Sequence, residues 1–111
     1  MSATAQLIDF VQDLDRSCLE DRTIDKAKQC VLDLLGVALA GSKTPMARAS
    51  AEFGFAHLGS GEATALGFPV SLGPLGATWI NGVSASALDL DDGHRAAMGH
   101  PGASVIPAAL A

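Results

Sequence analysis

A segment of helical periodicity dominates the first half of this chain. Its apolar positions are Ala27, Cys30, Val31, Leu34, Leu35, Ala38 and Leu39. Because these positions recur every three to four residues, they share one face of an α-helix and cannot alternate across a strand. Thr23 is a candidate N-cap for this helix, and Gly41 stands where it would end. The pattern predicts a long helix with one buried face.

Similar signals predict four more helices and a single domain over residues 1–111. These helices are residues 3–19, Pro45 to about His57 after a Thr44 cap, a fourth helix that begins after a Ser71 cap and reaches Ala87, and Ala103–Ala111. A Ser or Thr cap followed by an apolar periodic run is a typical helix start, and Pro is favoured in the first turn. Between the helices, only residues 63–66 suggest a short extended piece. The sequence therefore predicts an all-α fold.

The fourth predicted helix combines large apolar residues with many small ones. We expect Trp79 to lie in the core. The small residues are Gly76, Ala77, Gly82, Ser84, Ala85 and Ser86. Side chains of this size let the backbone of another helix approach closely, so another helix is expected to pack against this one.

The composition is apolar for a chain of 111 residues, with 49% hydrophobic and only 17% charged residues. Charged residues make up about a quarter of an ordinary domain, and a small domain has much surface to cover. We therefore expect apolar area to be buried against a partner subunit or a further part of the protein. The final IPAALA segment has no helix-ending signal, which favours a chain that continues past Ala111.

Charge and hydropathy exclude two classes of partner. The net charge is −5 and no basic cluster exists, so the chain is not expected to bind nucleic acid. The most apolar stretch, from Cys30 to Gly41, contains Asp33 and is too short to span a bilayer. The N-terminus lacks the basic start and long apolar run of a secretory signal. These features predict a cytoplasmic protein without a membrane partner.

Titratable residues concentrate between residues 88 and 102. The segment LDLDDGH is followed by HPG, so that Asp89, Asp91, Asp92, His94 and His100 lie close in sequence. Carboxylates and imidazoles together are what acid–base chemistry requires. A solvated acidic helix end with a structural loop histidine would give the same pattern, and spacing alone leaves both interpretations open.

The same residues do not fit a common metal motif. Counted from Asp89, the twelfth position of a calcium loop would be His100 rather than Glu. His94 and His100 are six residues apart and no HExxH is present, which disfavours zinc. We therefore predict no metal site. His100 instead precedes a predicted helix whose N-terminal N–H groups favour anions, including substrate carboxylates.

Three segments resemble one protein family when they are taken in order. They are LDLLGVALAGS from residue 32, ATWINGVSASALDLDDGH from residue 77, and HPGASVIPAALA from residue 100. Nearly the whole chain resembles the N-terminal part of the MmgE/PrpD family, which includes 2-methylcitrate dehydratase, cis-aconitate decarboxylase and iminodisuccinate epimerase. The resemblance implies the helical N-terminal portion of a large all-α domain, a homodimer, no cofactor, and a small di- or tricarboxylate substrate.

The resemblance also implies roles for individual residues. Asp89 and His100 fall at active-site positions of the family's motif and are the predicted catalytic residues, with Asp89 orienting His100 for proton transfer. Asp92 and His94 flank them and, with Gly102 at the following helix N-terminus, are predicted to bind substrate. Gly93 stands where some members carry Thr, which puts a decarboxylase-like hydrogen bond from that position in doubt.

The predicted activity is that of a 2-methylcitrate dehydratase-type lyase. Decarboxylation or epimerisation on the same scaffold is an alternative, and a non-catalytic helical module that binds a partner is a third. Basic residues that would hold the substrate's other carboxylates are not apparent near the motif. We therefore expect the chain of 111 residues to be inactive by itself.

Overall fold

A computed structural model describes residues 1–96 and 98–111. The helices are α1 (Ala3–Gln12), α2 (Asp21–Gly41), α3 (Pro45–His57), α4 (Pro74–Ser86) and α5 (Pro101–Leu110), with a 3₁₀ turn at Arg16–Cys18. Two short strands, β1 (Ala63–Thr64) and β2 (Ser71–Leu72), pair as an antiparallel hairpin in the register Ala63 to Leu72 and Thr64 to Ser71. The predicted all-α class is confirmed, and the extended piece expected near residues 63–66 is β1.

Helix starts agree with the predictions where a side-chain cap forms and differ where it does not. Thr44 Oγ1 accepts a hydrogen bond from Ala47 N–H at 3.2 Å, which confirms the predicted cap of α3. The predicted Ser71 cap is wrong, because Ser71 pairs with Thr64 in the hairpin and α4 begins at Pro74. The Thr23 cap is also wrong, since α2 already begins at Asp21.

The first and last helices also differ from their predicted bounds. α1 ends at Gln12 rather than near residue 19. After it, the Asp15 carboxylate accepts a hydrogen bond from Ser17 N–H at 2.8 Å and starts the 3₁₀ turn. Hydrogen bonds from the Ser17 side chain and from the Ser17 backbone N–H lower the pKa of Asp15, because they favour its charged form. α5 begins at Pro101, two residues before the predicted start.

Helix α4 is the centre of the fold, and α2, α3 and α5 all pack against it. Its buried residues are Gly76, Ala77, Ile80, Asn81, Ser84 and Ala85. A Cβ at Gly41 of α2 would collide with the carbonyl oxygen of Ser84. A Cβ at Gly54 of α3 would lie 2.9 Å from Ile80 Cδ1, and one at Gly82 would lie 3.2 Å from the Ala103 carbonyl oxygen. The predicted close helix approaches are therefore formed, and small residues make them possible.

Several large apolar residues of α4 lie outside this core, whereas Ile80 is buried in it. Trp79 is 49% exposed and Leu75 is 69% exposed, so the prediction that Trp79 is a core residue is wrong for the described chain. Because three helices surround the small-residue face of α4, the wide side chains fall on its other side. Helix α1 likewise has no buried residue, although Leu7 and Phe10 are both apolar. Apolar surface thus remains exposed, as the composition leads one to expect.

Within residues 1–96 and 98–111, no single helix is long and apolar enough to cross a bilayer. The one pair of helices that is long and apolar enough together, α2 with α3, is bent by 91°.

Asn81 ties the β-hairpin to α4. Its side chain, 1% exposed, accepts a hydrogen bond from Leu66 N–H at 2.7 Å and donates one to the Thr64 carbonyl oxygen at 2.9 Å. One amide thus satisfies two backbone groups that lie next to β1. The sequence places Asn81 in a recognisable Asn-Gly pair, but nothing in the spacing predicts this structural role.

We expect Asn81→Leu to lower the free energy of unfolding by about 2 kcal/mol. Leucine has a similar size but leaves the Leu66 N–H and the Thr64 carbonyl unpaired, and each such loss costs about 1–3 kcal/mol when the group is buried. Urea denaturation followed by circular dichroism measures the change. Ser84→Ala is the matched control on the same helix: the buried Ser84 hydroxyl has no hydrogen-bond partner among the described residues, so its loss should be neutral or stabilising. Equal destabilisation by both variants would contradict the role assigned to Asn81.

Candidate active site

The site begins where α4 ends. Asp89 has φ of 54°, in the left-handed region that Asp adopts more readily than most residues, and its N–H donates to the Ser86 carbonyl oxygen at 3.2 Å. This turn reverses the chain after the helix. As a result, the next part of the loop returns to α4, and Ser86 Oγ donates a hydrogen bond to Asp91 Oδ2 at 3.2 Å.

A second reversal brings the histidine back to the same place. His94 and Gly99 form an antiparallel bridge, in which His94 N–H donates to the Gly99 carbonyl oxygen at 2.9 Å. Inside it, Met98 N–H donates to the Arg95 carbonyl oxygen at 3.2 Å, and Met98 has φ of 47°. The bridge closes a loop, so that the residue after Gly99 lies beside the residues that precede His94.

His100 therefore meets Asp91, nine residues earlier in the chain. His100 Nδ1 lies 3.4 Å from Asp91 Oδ2 and 3.2 Å from the Asp91 carbonyl oxygen. The Asp91 side chain is only 4% exposed, whereas that of His100 is 48% exposed. The site thus pairs a buried carboxylate with an imidazole that remains accessible. This arrangement is suited to holding a proton-transfer group in one orientation.

Asp92 has a different function in the fold. Its Oδ1 accepts a hydrogen bond from Gly102 N–H at 3.0 Å, at the start of α5. His100, the N-cap residue of α5, makes no side-chain capping bond, so a carboxylate from the preceding loop satisfies this backbone donor instead. Negative charge is favourable at a helix N-terminus. The Gly102 N–H that was predicted to bind a substrate carboxylate is therefore occupied by the carboxylate of Asp92.

We expect Gly102→Ala to destabilise the chain by about 1 kcal/mol, the typical cost of losing a helix cap. The new Cβ would collide with the Asp92 carboxylate and break its bond to the Gly102 N–H. Thermal unfolding measures the loss. Gly93→Ala is the control in the same loop, because a Cβ there meets nothing within 4 Å. If Gly102→Ala were as well tolerated as Gly93→Ala, Asp92 would not cap α5.

The remaining predicted residues are less closely engaged. Asp89 is exposed, and its carboxylate has no hydrogen-bond or ion-pair partner in the part of the chain that the structure describes. Asp91 makes the contact with His100 that was expected of Asp89. The left-handed turn at Asp89 reverses the chain, so that Asp91 and not Asp89 lies beside His100. His94 is exposed and lies at the base of the closed loop. The roles predicted for Asp89 and His94 in catalysis and substrate binding stay predictions.

An open groove of about 520 Å³ lies beside His100. Its lining residues are Met46, Thr78, Trp79, Gly82, Val83, Ser86, His100, Ala103 and Ser104. Trp79, expected in the core, thus forms a wall of the candidate site together with Val83. One sequence signal could have indicated that Trp79 lines the groove. It is a large aromatic residue on a helix rich in small residues, which are the ones that pack against neighbouring helices.

The groove contains no lysine or arginine side chain. None of its lining residues is Lys or Arg, so groups that would neutralise substrate carboxylates are not found here. Among residues 1–96 and 98–111, no group of three His, Cys, Asp or Glu side chains is arranged to hold a metal ion. The groove supplies a histidine, three hydroxyls and apolar walls.

Comparison with known proteins agrees with the sequence resemblance. The chain is 30% identical over 110 residues to the cis-aconitate decarboxylase-like protein oryM of Aspergillus oryzae. This alignment covers 99% of this chain and 23% of that protein. It is 29% identical over 107 residues to the cis-aconitate decarboxylases of Homo sapiens and Mus musculus. Each of these alignments covers 96% of this chain and 22% of the relative. The chain thus spans less than a quarter of the length of these relatives.

No solved structure matches the chain significantly. The profile of the MmgE/PrpD N-terminal domain matches residues 5–111, nearly the whole chain. The ordered motifs, the helical fold and this match lead to one conclusion: the chain belongs to the MmgE/PrpD family and corresponds to its N-terminal domain.

Proposed function

We propose that this chain contributes the acid–base histidine of a lyase that acts on a small di- or tricarboxylate. The observation that carries the proposal is the placement of His100, half exposed beside an open groove and held at Nδ1 by the buried Asp91 carboxylate. Membership of a family that includes such lyases supports the substrate class. The basic residues that would bind the substrate's carboxylates are proposed to come from parts of the protein other than the groove.

The reaction proposed first is dehydration of the 2-methylcitrate type. His100 removes a proton from a carbon next to a carboxylate, and the electron pair of that C–H bond forms a carbon–carbon double bond. The bond from the neighbouring carbon to its hydroxyl group breaks, and the departing hydroxide takes the proton from the protonated His100 and leaves as water. Because a carbanion-like intermediate is unstable in water, groups that stabilise its developing negative charge supply much of the catalysis.

Decarboxylation is a second candidate, and the names of the relatives favour it. Relatives of 29–30% identity are a cis-aconitate decarboxylase-like protein and two cis-aconitate decarboxylases. In such a reaction a carbon–carbon bond breaks to release carbon dioxide, and the protonated His100 delivers its proton to the remaining carbon. The same histidine thus serves either reaction. Gly93 supplies no hydroxyl group to assist it, which is why dehydration is preferred here.

Product analysis on the native protein tests these alternatives. The protein is incubated separately with 2-methylcitrate, cis-aconitate and iminodisuccinate in deuterated water. The organic products are followed by proton NMR, and released carbon dioxide is measured in the gas phase. A new alkene without carbon dioxide supports dehydration, release of carbon dioxide supports decarboxylation, and inversion with deuterium incorporation supports epimerisation. If none of the three compounds reacts or exchanges a proton, the lyase proposal fails and a non-catalytic binding module becomes the better interpretation.

A further inference from the structure

We infer that Asp91 is the positioning residue of His100: it holds the hydrogen on Nδ1 and leaves Nε2 as the nitrogen that exchanges protons with substrate. The inference deepens the proposed function and rests on it for its catalytic meaning. Its structural part, the tautomer of His100, is independent of any reaction.

The contacts at Nδ1 determine where the hydrogen lies. Two oxygens of Asp91 lie near this nitrogen: a carboxylate oxygen at 3.4 Å and the backbone carbonyl oxygen at 3.2 Å. Both can only accept a hydrogen bond. A lone pair on Nδ1 would face two oxygen lone pairs, whereas an N–H at that position is attracted to both. A neutral His100 therefore carries its hydrogen on Nδ1, and which ring nitrogen is protonated is set by such partners.

The position of the Asp91 carboxylate is itself fixed. It is nearly buried, and its Oδ2 accepts the hydrogen bond from Ser86 Oγ in the last turn of α4. Ser86 also lines the groove beside His100. The imidazole is thus tied through Asp91 to the helix that forms the groove wall, which limits the rotation of the ring relative to a bound substrate.

The charge of Asp91 has a second consequence during proton transfer. When Nε2 takes a proton from the substrate carbon, the imidazole becomes a cation with N–H groups at both nitrogens, and the C–H electron pair stays with the substrate. The adjacent Asp91 carboxylate carries the opposite charge, which favours this cation. When the proton leaves Nε2, the ring returns to the Nδ1–H form.

Nitrogen NMR on the native protein, labelled with [15N]histidine, tests the inference directly. Loss of one signal in His100→Gln identifies the His100 ring, and His57 is an internal reference because it lies against Phe53, outside the groove. We expect the Nδ1–H form for His100 in the unaltered protein. Finding the Nε2–H form would overturn the inference whether or not the protein turns over a carboxylate.

Two substitutions at Asp91 separate positioning from simple loss of structure. Asp91→Leu removes the side-chain acceptor; we expect the His100 signal to shift toward the Nε2–H form and kcat to fall about tenfold to a hundredfold with little change in KM. This loss of kcat is part of the roughly 10²–10⁴-fold rate enhancement that an acid–base group supplies. Asp91→Asn keeps an acceptor oxygen, so it should restore the Nδ1–H form and part of kcat.

These outcomes distinguish the inference from the proposed function. An Nδ1–H signal in a protein that converts none of the carboxylates leaves the positioning role standing and removes the lyase. Turnover that is equal in Asp91→Leu and the unaltered protein would overturn the positioning role and leave the lyase. If Asp91→Leu fails to fold, two measurements decide the positioning role. They are the His100 tautomer in the unaltered protein, and whether Asp91→Asn has the Nδ1–H form and part of the normal kcat.

Discussion

Replacing His100 by Ala should lower kcat by about 10²–10⁴-fold while the fold stays intact. The size of the effect is what a positioned general acid–base group contributes to proton transfer. The fold should tolerate the change because the His100 side chain is 48% exposed and caps no helix through its ring. A truncation at such a site leaves no closed cavity, so the large loss of stability that follows core truncations is not expected.

Steady-state kinetics on the native protein, with the substrate that the product analysis identifies, measures this effect. Circular dichroism and thermal unfolding establish that the fold is retained. His57→Ala is the matched control: His57 is also exposed, ends α3 and contacts Phe53, but it does not line the groove. We expect it to keep nearly full turnover. Comparable turnover in His100→Ala and the unaltered protein would remove His100 from the mechanism.

Replacing Gly41 by Ala should destabilise the fold by about 1–3 kcal/mol or more. Here α2 crosses α4 so closely that a Cβ would collide with the backbone carbonyl oxygen of Ser84. A side chain could rotate away from such a contact, but a carbonyl within a helix cannot. The two helices must therefore separate, which loosens the contacts around Leu34, Ala38 and Ala85 in the core.

A second glycine of the same helix provides the control and has the opposite expected sign. Gly36 is exposed in the interior of α2, and a Cβ there meets nothing within 4 Å. Gly36→Ala should raise stability by about 0.5–1 kcal/mol, because Ala loses less backbone entropy than Gly in a helix. Urea denaturation of both variants measures the difference. Equal stability of Gly41→Ala and Gly36→Ala would show that α2 and α4 do not approach each other as closely at Gly41 as described.

Local chemistry explains which helix boundaries were predictable. Thr44 and Pro45 start α3 through interactions within a few residues, and such signals can be read directly from a sequence. Ser71 carries an equally good local signal for a cap, yet it pairs with Thr64 across a hairpin. That pairing depends on Asn81, a residue of α4 that binds the backbone of the hairpin. A tertiary contact therefore overrode the local preference at Ser71.

The orientation of α4 could not be obtained from periodicity either. Its sequence has one stripe of large apolar residues and one of small residues, and burial is usual for the large ones. In the structure the small stripe is buried together with Ile80, because α2, α3 and α5 all approach the backbone of α4. Trp79 consequently lies at the groove, beside the candidate active site.

The acidic loop shows the same division between local sequence and tertiary structure. By itself the sequence determined the helical fold class, the family, and the concentration of acids and histidines between Asp89 and His100. That Asp91 holds His100 and that Asp92 caps α5 follows from the three-dimensional arrangement of the loop. Asp91 and Asp92 are adjacent, so their side chains diverge, and the turns at Asp89 and between His94 and Gly99 determine what each one meets. Those turns depend on backbone angles and hydrogen bonds between residues separated along the chain, which residue spacing alone does not specify.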